Sequence, residues 1–122
     1  MADVVTVPSH LAVPEVRTYM TVEAARDLAD EETPAPEPTD SLGRSDQTFV
    51  VDVMVRSGDV ERRATALGQD IYAVTAPLVV EAVERILAGH TRTTGLASAG
   101  AMFEAADFLR ALPPHLSVDL PR

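Results

Sequence analysis

The chain has 122 residues, a formal charge of −9 and no cysteine. That length suffices for one compact domain with a core and is too short for two. The acidic balance argues against nucleic acid or an anionic membrane as partner, and the missing cysteines exclude disulfides and thiolate metal sites.

No apolar run approaches the ~20 residues of a membrane span and no signal peptide is present, so a soluble cytoplasmic domain is expected. All ten basic residues are arginine, a bias that suggests a high-GC genome of the actinobacterial kind. In chain order, Asp3 to Val7 reads as a short strand ended by Pro8, and Val16 to Met20 as a second strand. Thr21 is placed to cap a helix through Leu28, with Glu23 near its positive end. Residues 29–46 then hold three prolines and six acidic residues, the composition of a solvated loop or lid.

"TFVVDVMVRSGDVERRATAL" reads as a hairpin around Ser57-Gly58. With Val55 opposite Val60, Asp52 faces Arg63 and Met54 faces Glu61. Phe49, Val51, Val53, Val55, Val60, Ala64 and Ala66 then share one face with Arg62 as its only charge, and the other, mixed face carries Val50, Asp52, Met54, Arg56, Asp59, Glu61, Arg63 and Thr65. A slip of one residue would bury charges. Asp70 next reads as an N-cap for a long helix with Ile71, Val74, Leu78, Val79, Ala82, Val83 and Ile86 near helical spacing. Pro77 means that this helix either kinks or begins in earnest at Thr75. Glu81 and Arg85 form an i,i+4 pair on its exposed side, and Gly89 ends it. Leu96 to Leu112 reads as broken helical segments with Met102, Phe103, Phe108 and Leu109 packing inward. Pro113-Pro114 stops the fold.

Because strands and helices do not alternate, the expected class is α+β, an antiparallel sheet of about four strands covered by one long helix and shorter helices. A single domain is expected over residues 1–112, with 113–122 as a loose tail.

The chemistry is narrowed by absences. No GxGxxG turn follows a strand and no GxxxxGK[ST] occurs, so the chain carries no self-contained dinucleotide or phosphate cradle. Three dispersed histidines suggest no metal site. The acid–base candidates are Tyr72 at the start of the long helix, His10 just past the first strand, and Tyr19 on the second strand. Each also has a structural reading, core packing for the tyrosines and an exposed connector for His10. Arg17, Asp52, Met54 and Arg63 are the candidates for holding a substrate, with Asp52 and Arg63 equally readable as a structural ion pair. A pocket is expected between the long helix and the strand ends, roofed by residues 29–46.

From Gly43 to Leu112, "GRSDQTFVVDVMVRSGDVERRATALGQDIYAVTAPLVVEAVERILAG…TGLASAGAMFEAADFLRAL" resembles the C-terminal part of bacterial saccharopine dehydrogenase-like reductases. The matching residues are Gly68, Asp70, Tyr72, Thr75, Ala76, Gly95, Phe103, Phe108 and Leu109. The resemblance implies a domain that lines a substrate cleft and contributes a sheet to dimerisation. The family's Rossmann half has no counterpart in this sequence. The leading functional expectation is therefore a stand-alone small-molecule enzyme that needs no cofactor, performing a cyclisation or isomerisation in natural-product biosynthesis. The next is the substrate or dimerisation half of a split NAD(P)-dependent reductase whose Rossmann domain lies on a separate chain. The third is a non-catalytic binding protein. A small-molecule ligand and a homodimer are expected; nucleic acid and membrane are not.

Overall fold

The structure is a computed structural model that describes residues 2–121. In chain order its elements are α1 (Asp3–Thr6), α2 (Val22–Ala29), β1 (Thr48–Ser57), β2 (Val60–Gln69), α3 (Thr75–Leu87), α4 (Ala99–Met102), α5 (Ala105–Arg110) and β3 (Leu116–Asp119). The fold class is α+β, with one small antiparallel sheet in the order β1-β2-β3. The residues form two compact units where the sequence suggests one domain: residues 2–35 with Arg92–Met102, and Pro36–Thr91 with residues 103–121.

The first unit is helical and extended. Asp3 to Val7 is one turn of helix, not a strand, with Val5 and Thr6 donating to the Ala2 carbonyl and Val7 to that of Asp3. A strand needs a neighbour for its N–H and C=O groups, whereas a single turn satisfies them within itself. Residues 16–20 form no ladder in the structure, so the second expected strand is also absent. α2 follows the sequence closely: Thr21 Oγ1 accepts from the Ala24 N–H at 3.2 Å, and Glu23 sits in the first turn.

The second unit holds the sheet. β1 and β2 pair over ten residues with Ser57 opposite Val60, leaving Gly58-Asp59 as a two-residue turn. Gly58 takes φ +59° and Asp59 does not take a positive φ, the pattern of a type II′ hairpin, which suits the natural strand twist. Val55 therefore faces Arg62 rather than Val60, a shift of two residues from the expected register. Burial cannot distinguish those two registers, because a slip of two keeps every side chain on its face. Turn geometry decides it. Asp52 thus faces Thr65 and Met54 faces Arg63.

The expected tail is the third strand. Leu116 and Val118 pair with Gly68 and Ala66, and Leu116 is buried. Their period-two alternation in "LSVD" puts both on the apolar face of the sheet. Val74, Leu112 and Leu116 form the core, packed by Phe49, Ala66, Leu78, Phe108, Leu109 and Val118. α3 begins at Thr75, so Pro77 falls in its first turn, where the missing N–H has no helical partner to lose. It ends on a Schellman motif, with His90 N–H bonded to Arg85 O at 2.8 Å and Gly89 N–H to Ile86 O at 3.1 Å.

Arg85 departs from its expected exposed role. Its side chain is mostly buried, lies 5.3 Å over the Phe108 ring, and binds both Glu81 and Asp107, joining α3 to α5. Phe108 in turn packs on Phe103 at 5.0 Å between ring centroids. α3 meets the sheet through its first residues only, since Val79, Val83 and Ile86 remain about half exposed.

Leu116 separates a tail from a strand. Leu116→Ala should lower the free energy of urea unfolding by about 3 kcal/mol, the usual cost of emptying a core leucine site, whereas a loose tail would leave the midpoint unchanged.

Candidate functional site

The loop that joins β2 to α3 organises the second unit. Asp70 sits at φ +55°, a left-handed conformation that aspartate tolerates better than most residues. There its Oδ1 accepts from the N–H groups of Tyr72 and Ala73 at 3.0 and 2.9 Å. Asp70 thus caps the turn before α3 and is not the helix N-cap expected from the sequence, a position held by Val74 without a side-chain bond. Its Oδ2 accepts from the Ser45 N–H at 2.8 Å, while Gln69 Nε2 donates to the Ser45 carbonyl at 2.7 Å. Ser45 is therefore gripped at both backbone groups, and the end of the acidic Pro-rich segment is anchored to the strand-to-helix joint.

Upstream, Asp40 closes a local turn. It accepts from the Leu42 and Arg44 N–H groups at 2.9 and 3.0 Å and pairs with Arg44 Nε at 2.7 Å. The backbone N–H of Arg44, followed by its guanidinium, holds the Asp40 carboxyl below the ordinary carboxylate range. The part of the 29–46 segment that belongs to this unit is thus built from specific hydrogen bonds.

The apolar face of the hairpin and the start of α3 enclose an open groove of about 380 Å³. Phe49, Val51 and Val53 supply one side, Ala64 and Ala66 the floor, and Ile71, Val74 and Leu78 the other side, with Leu116 and Val118 beneath. Among its lining residues only Thr65 and Thr75 have polar side chains, and the Thr65 hydroxyl is bonded to Asp52 on the opposite face of the sheet. Gly68 matters here because a Cβ would lie 2.5 Å from the Phe49 ring, so only glycine lets that ring fold over β2. A second concavity of about 410 Å³ lies between α3 and residues 111–115; one of its carboxylates, Glu81, is already committed to Arg85.

The residues singled out from the sequence are dispersed. Asp52 and Arg63 do meet, in a bidentate pair at 2.7 Å for each contact, with Thr65 Oγ1 adding a bond to Asp52 at 3.2 Å. The pair is diagonal and not directly opposed, and it lies on the sheet face away from the groove. The Arg63 guanidinium lowers the Asp52 carboxyl pKa, and Asp52 in turn raises that of Arg63. Met54 shares that outer face and is half exposed. Tyr72 is 65% exposed and does not line the groove, although its neighbour Ile71 does.

Arg17, Tyr19 and His10 belong to the first unit. Arg17 Nε binds Glu15 at 2.8 Å; that bond and a contact with Tyr19 raise the Arg17 pKa. Tyr19 is 84% exposed. His10 is the most defined of the three. Its Nδ1 lies 2.8 Å from the Thr6 carbonyl, which can only accept, so Nδ1 is the donor in this contact. Ser98 Oγ lies 3.1 Å from the same nitrogen, and the ring rests where a Gly100 side chain would be.

Sequence reasoning missed the groove as an apolar site, and it missed Ser98 and Gly100 beside His10. The only available signal for the latter was the run of small residues in "GLASAGAMF". Among the described residues, no three His, Asp or Glu side chains gather as metal ligands, and no helix is long and apolar enough to cross a membrane. Comparison with protein-family profiles, with curated proteins and with solved structures finds no match for this chain.

Asp70 predicts an acid limb in stability. Its carboxyl is held below the ordinary range, first by the Ser45 N–H and then by that of Ala73. A depressed folded pKa contributes stability that is complete above the unfolded value of about 3.9 and is lost as pH falls through the folded one. Urea midpoints should therefore drop for the native chain across that acidic window. Asp70→Asn should lie lower at neutral pH and fall less steeply there.

Proposed function

We propose that this chain is a substrate-holding module for an apolar, chain-like small molecule, and that the reactive chemistry is supplied by a partner. The observation that carries the reading is the groove beside α3, whose lining is apolar apart from Thr75 and from Thr65, whose hydroxyl is bonded to Asp52 on the other face of the sheet. Cofactor-free cyclisation or isomerisation requires an acid or base within hydrogen-bond reach of the reacting atoms, with a pKa near the working pH. The Thr75 hydroxyl does not meet that requirement. A site of this volume and lining instead suits burial of an aliphatic segment, with the Thr75 hydroxyl fixing one polar group. The binding reading is favoured over the stand-alone enzyme on that ground.

The sequence resemblance to saccharopine dehydrogenase-like reductases supports a more specific form of the same reading. In it, the groove is the substrate side of a split reductase, and a separate Rossmann-type chain brings NAD(P). Three of the resembling positions have physical work in this unit. Gly68 admits Phe49, Asp70 holds the strand-to-helix joint, and Thr75 lines the groove. The chain has no glycine-rich phosphate cradle of its own, so the isolated protein should give no heat on titration with NADPH.

Nile red, a neutral apolar dye, tests the groove directly. The native chain should bind it saturably with a blue-shifted emission. Ala64→Phe, which fills the floor of the groove, should weaken binding by about tenfold, equivalent to ~1.4 kcal/mol, with the circular dichroism spectrum unchanged. Tyr72→Phe should leave binding unaltered. Equal binding by the native chain and Ala64→Phe would show that the dye sits elsewhere and would remove the groove as the site.

A further inference from the structure

The polar face of the hairpin carries a second pattern that the groove does not use. β1 is the edge of the sheet, and among the described residues no strand lies on its outer side. The Asp70 N–H donates to the Gln47 carbonyl at 2.7 Å, and this pair continues the register in which Thr48 faces Gln69. Odd-numbered residues of β1 therefore exchange hydrogen bonds with β2. The even-numbered ones, Val50, Asp52, Met54 and Arg56, aim their N–H and C=O groups outward.

Apart from the charges of Asp52 and Arg56, this edge lacks the usual protections. Natural edges are blunted by charged side chains (lysine above all), proline, bulges or shortness. β1 is ten residues long, pairs without interruption, and contains no proline, and the whole chain contains no lysine.

From this we infer that the chain forms a two-fold dimer by antiparallel pairing of β1 with β1 of a second copy, centred on Met54. The charges select both occupant and register. Pairing must keep the apolar face continuous, so each residue faces one of the same parity. Centring on Asp52 would set that carboxylate against its own copy, which is unfavourable. Centring on Val53 would leave Asp52 and Arg56 opposite Met54 and Val50.

Centring on Met54 places Asp52 of each copy opposite Arg56 of the other. Arg56 already binds Glu61 across the hairpin at 2.8 Å, and Asp52 binds Arg63 at 2.7 Å. The order Glu61, Arg56, then Asp52 and Arg63 of the second copy gives alternating sign across four strands, and the two-fold axis produces the row twice. On the other face, Val53 meets Val55. A second copy of this strand is self-complementary in a way that an arbitrary strand is not.

The absence of cysteine makes the register directly testable. Light scattering of the native chain at micromolar concentration should return twice 13.0 kDa. Met54→Cys sits on the axis, where a hydrogen-bonded antiparallel pair has Cα atoms about 5.5 Å apart, inside the ~4.4–6.8 Å span of a disulfide. It should cross-link to a covalent dimer on mild oxidation. Val50→Cys, opposite the Gly58 turn of the other copy, should not.

Asp52→Arg and Arg56→Asp each put like charges across the axis and should be monomeric. Mixing the two should restore a dimer, since the mixed pair recovers both attractions, and this rescue also shows that each variant is folded. Three results would overturn the inference: a native chain of monomer mass, either charge variant dimerising alone as tightly as the native chain, or a persistent dimer in which Met54→Cys fails to cross-link. None depends on what the groove holds, because Ala64→Phe should leave the mass unchanged.

Discussion

The Asp70 carboxylate is the joint on which the second unit depends. It makes three backbone contacts at once, two into the turn before α3 and one to Ser45. Each alone is a modest hydrogen bond, but together they fix where α3 starts relative to the end of β2 and where the acidic segment rejoins the fold. A negative charge at that place also faces the positive end of the helix that follows. The left-handed backbone at Asp70 is the local cost of this geometry, offset by the bonds it allows. Because α3 starts there, Ile71, Val74, Thr75 and Leu78 come to line the groove. The hydrophobic site is therefore positioned by a polar interaction.

Two further restraints complete the unit. Arg85 ties α3 to α5 through Glu81 and Asp107, with its guanidinium over Phe108. β3 then closes the base of the sheet, laying Leu116 and Val118 beside Gly68 and Ala66. Beyond β3 the hairpin continues without cover, and Val50, Val53, Val55 and Val60 stay about half exposed. Valine favours a strand because its branched side chain packs on a pleated surface. Here strand propensity and turn chemistry hold the distal hairpin, while burial holds only its base.

What could be read from the sequence follows the range of the forces involved. The cap at Thr21, the hairpin and the stop of α3 at Gly89 are local signals. All of them involve residues within a few positions of each other, and all appear in the structure. The hairpin register slipped by two because the face pattern of Phe49 to Ala66 constrains only odd from even; choosing within that set needed the φ of Gly58. Asp3 to Val7 carried a strand-like composition, but nothing in those residues says whether a partner strand lies alongside. "LSVD" shows the converse error, since four residues after two prolines read as a tail until Ala66 and Gly68 supply a ladder. The site was less legible still. Tyrosine and histidine drew attention as reactive types, while the groove is made of alanine, valine and leucine, which look like core in any sequence.

The small core gives these open surfaces a thermodynamic consequence. Val74, Phe103, Leu112 and Leu116 are the buried apolar residues, and many larger apolar side chains remain in contact with water. Apolar area still exposed in the folded chain is stabilisation not yet realised, at roughly 25 cal/mol for each Å² later removed from water. Whatever occupies the groove, or pairs with the β1 edge, therefore binds the folded form and not the unfolded one, and it raises folding stability by mass action. The two surfaces also share a strand: Val51 and Val53 line the groove, while Asp52 and Met54 carry the edge pattern. If a ligand fills the groove and a second copy pairs with the edge, each would restrain the same strand, and the two events would then favour each other.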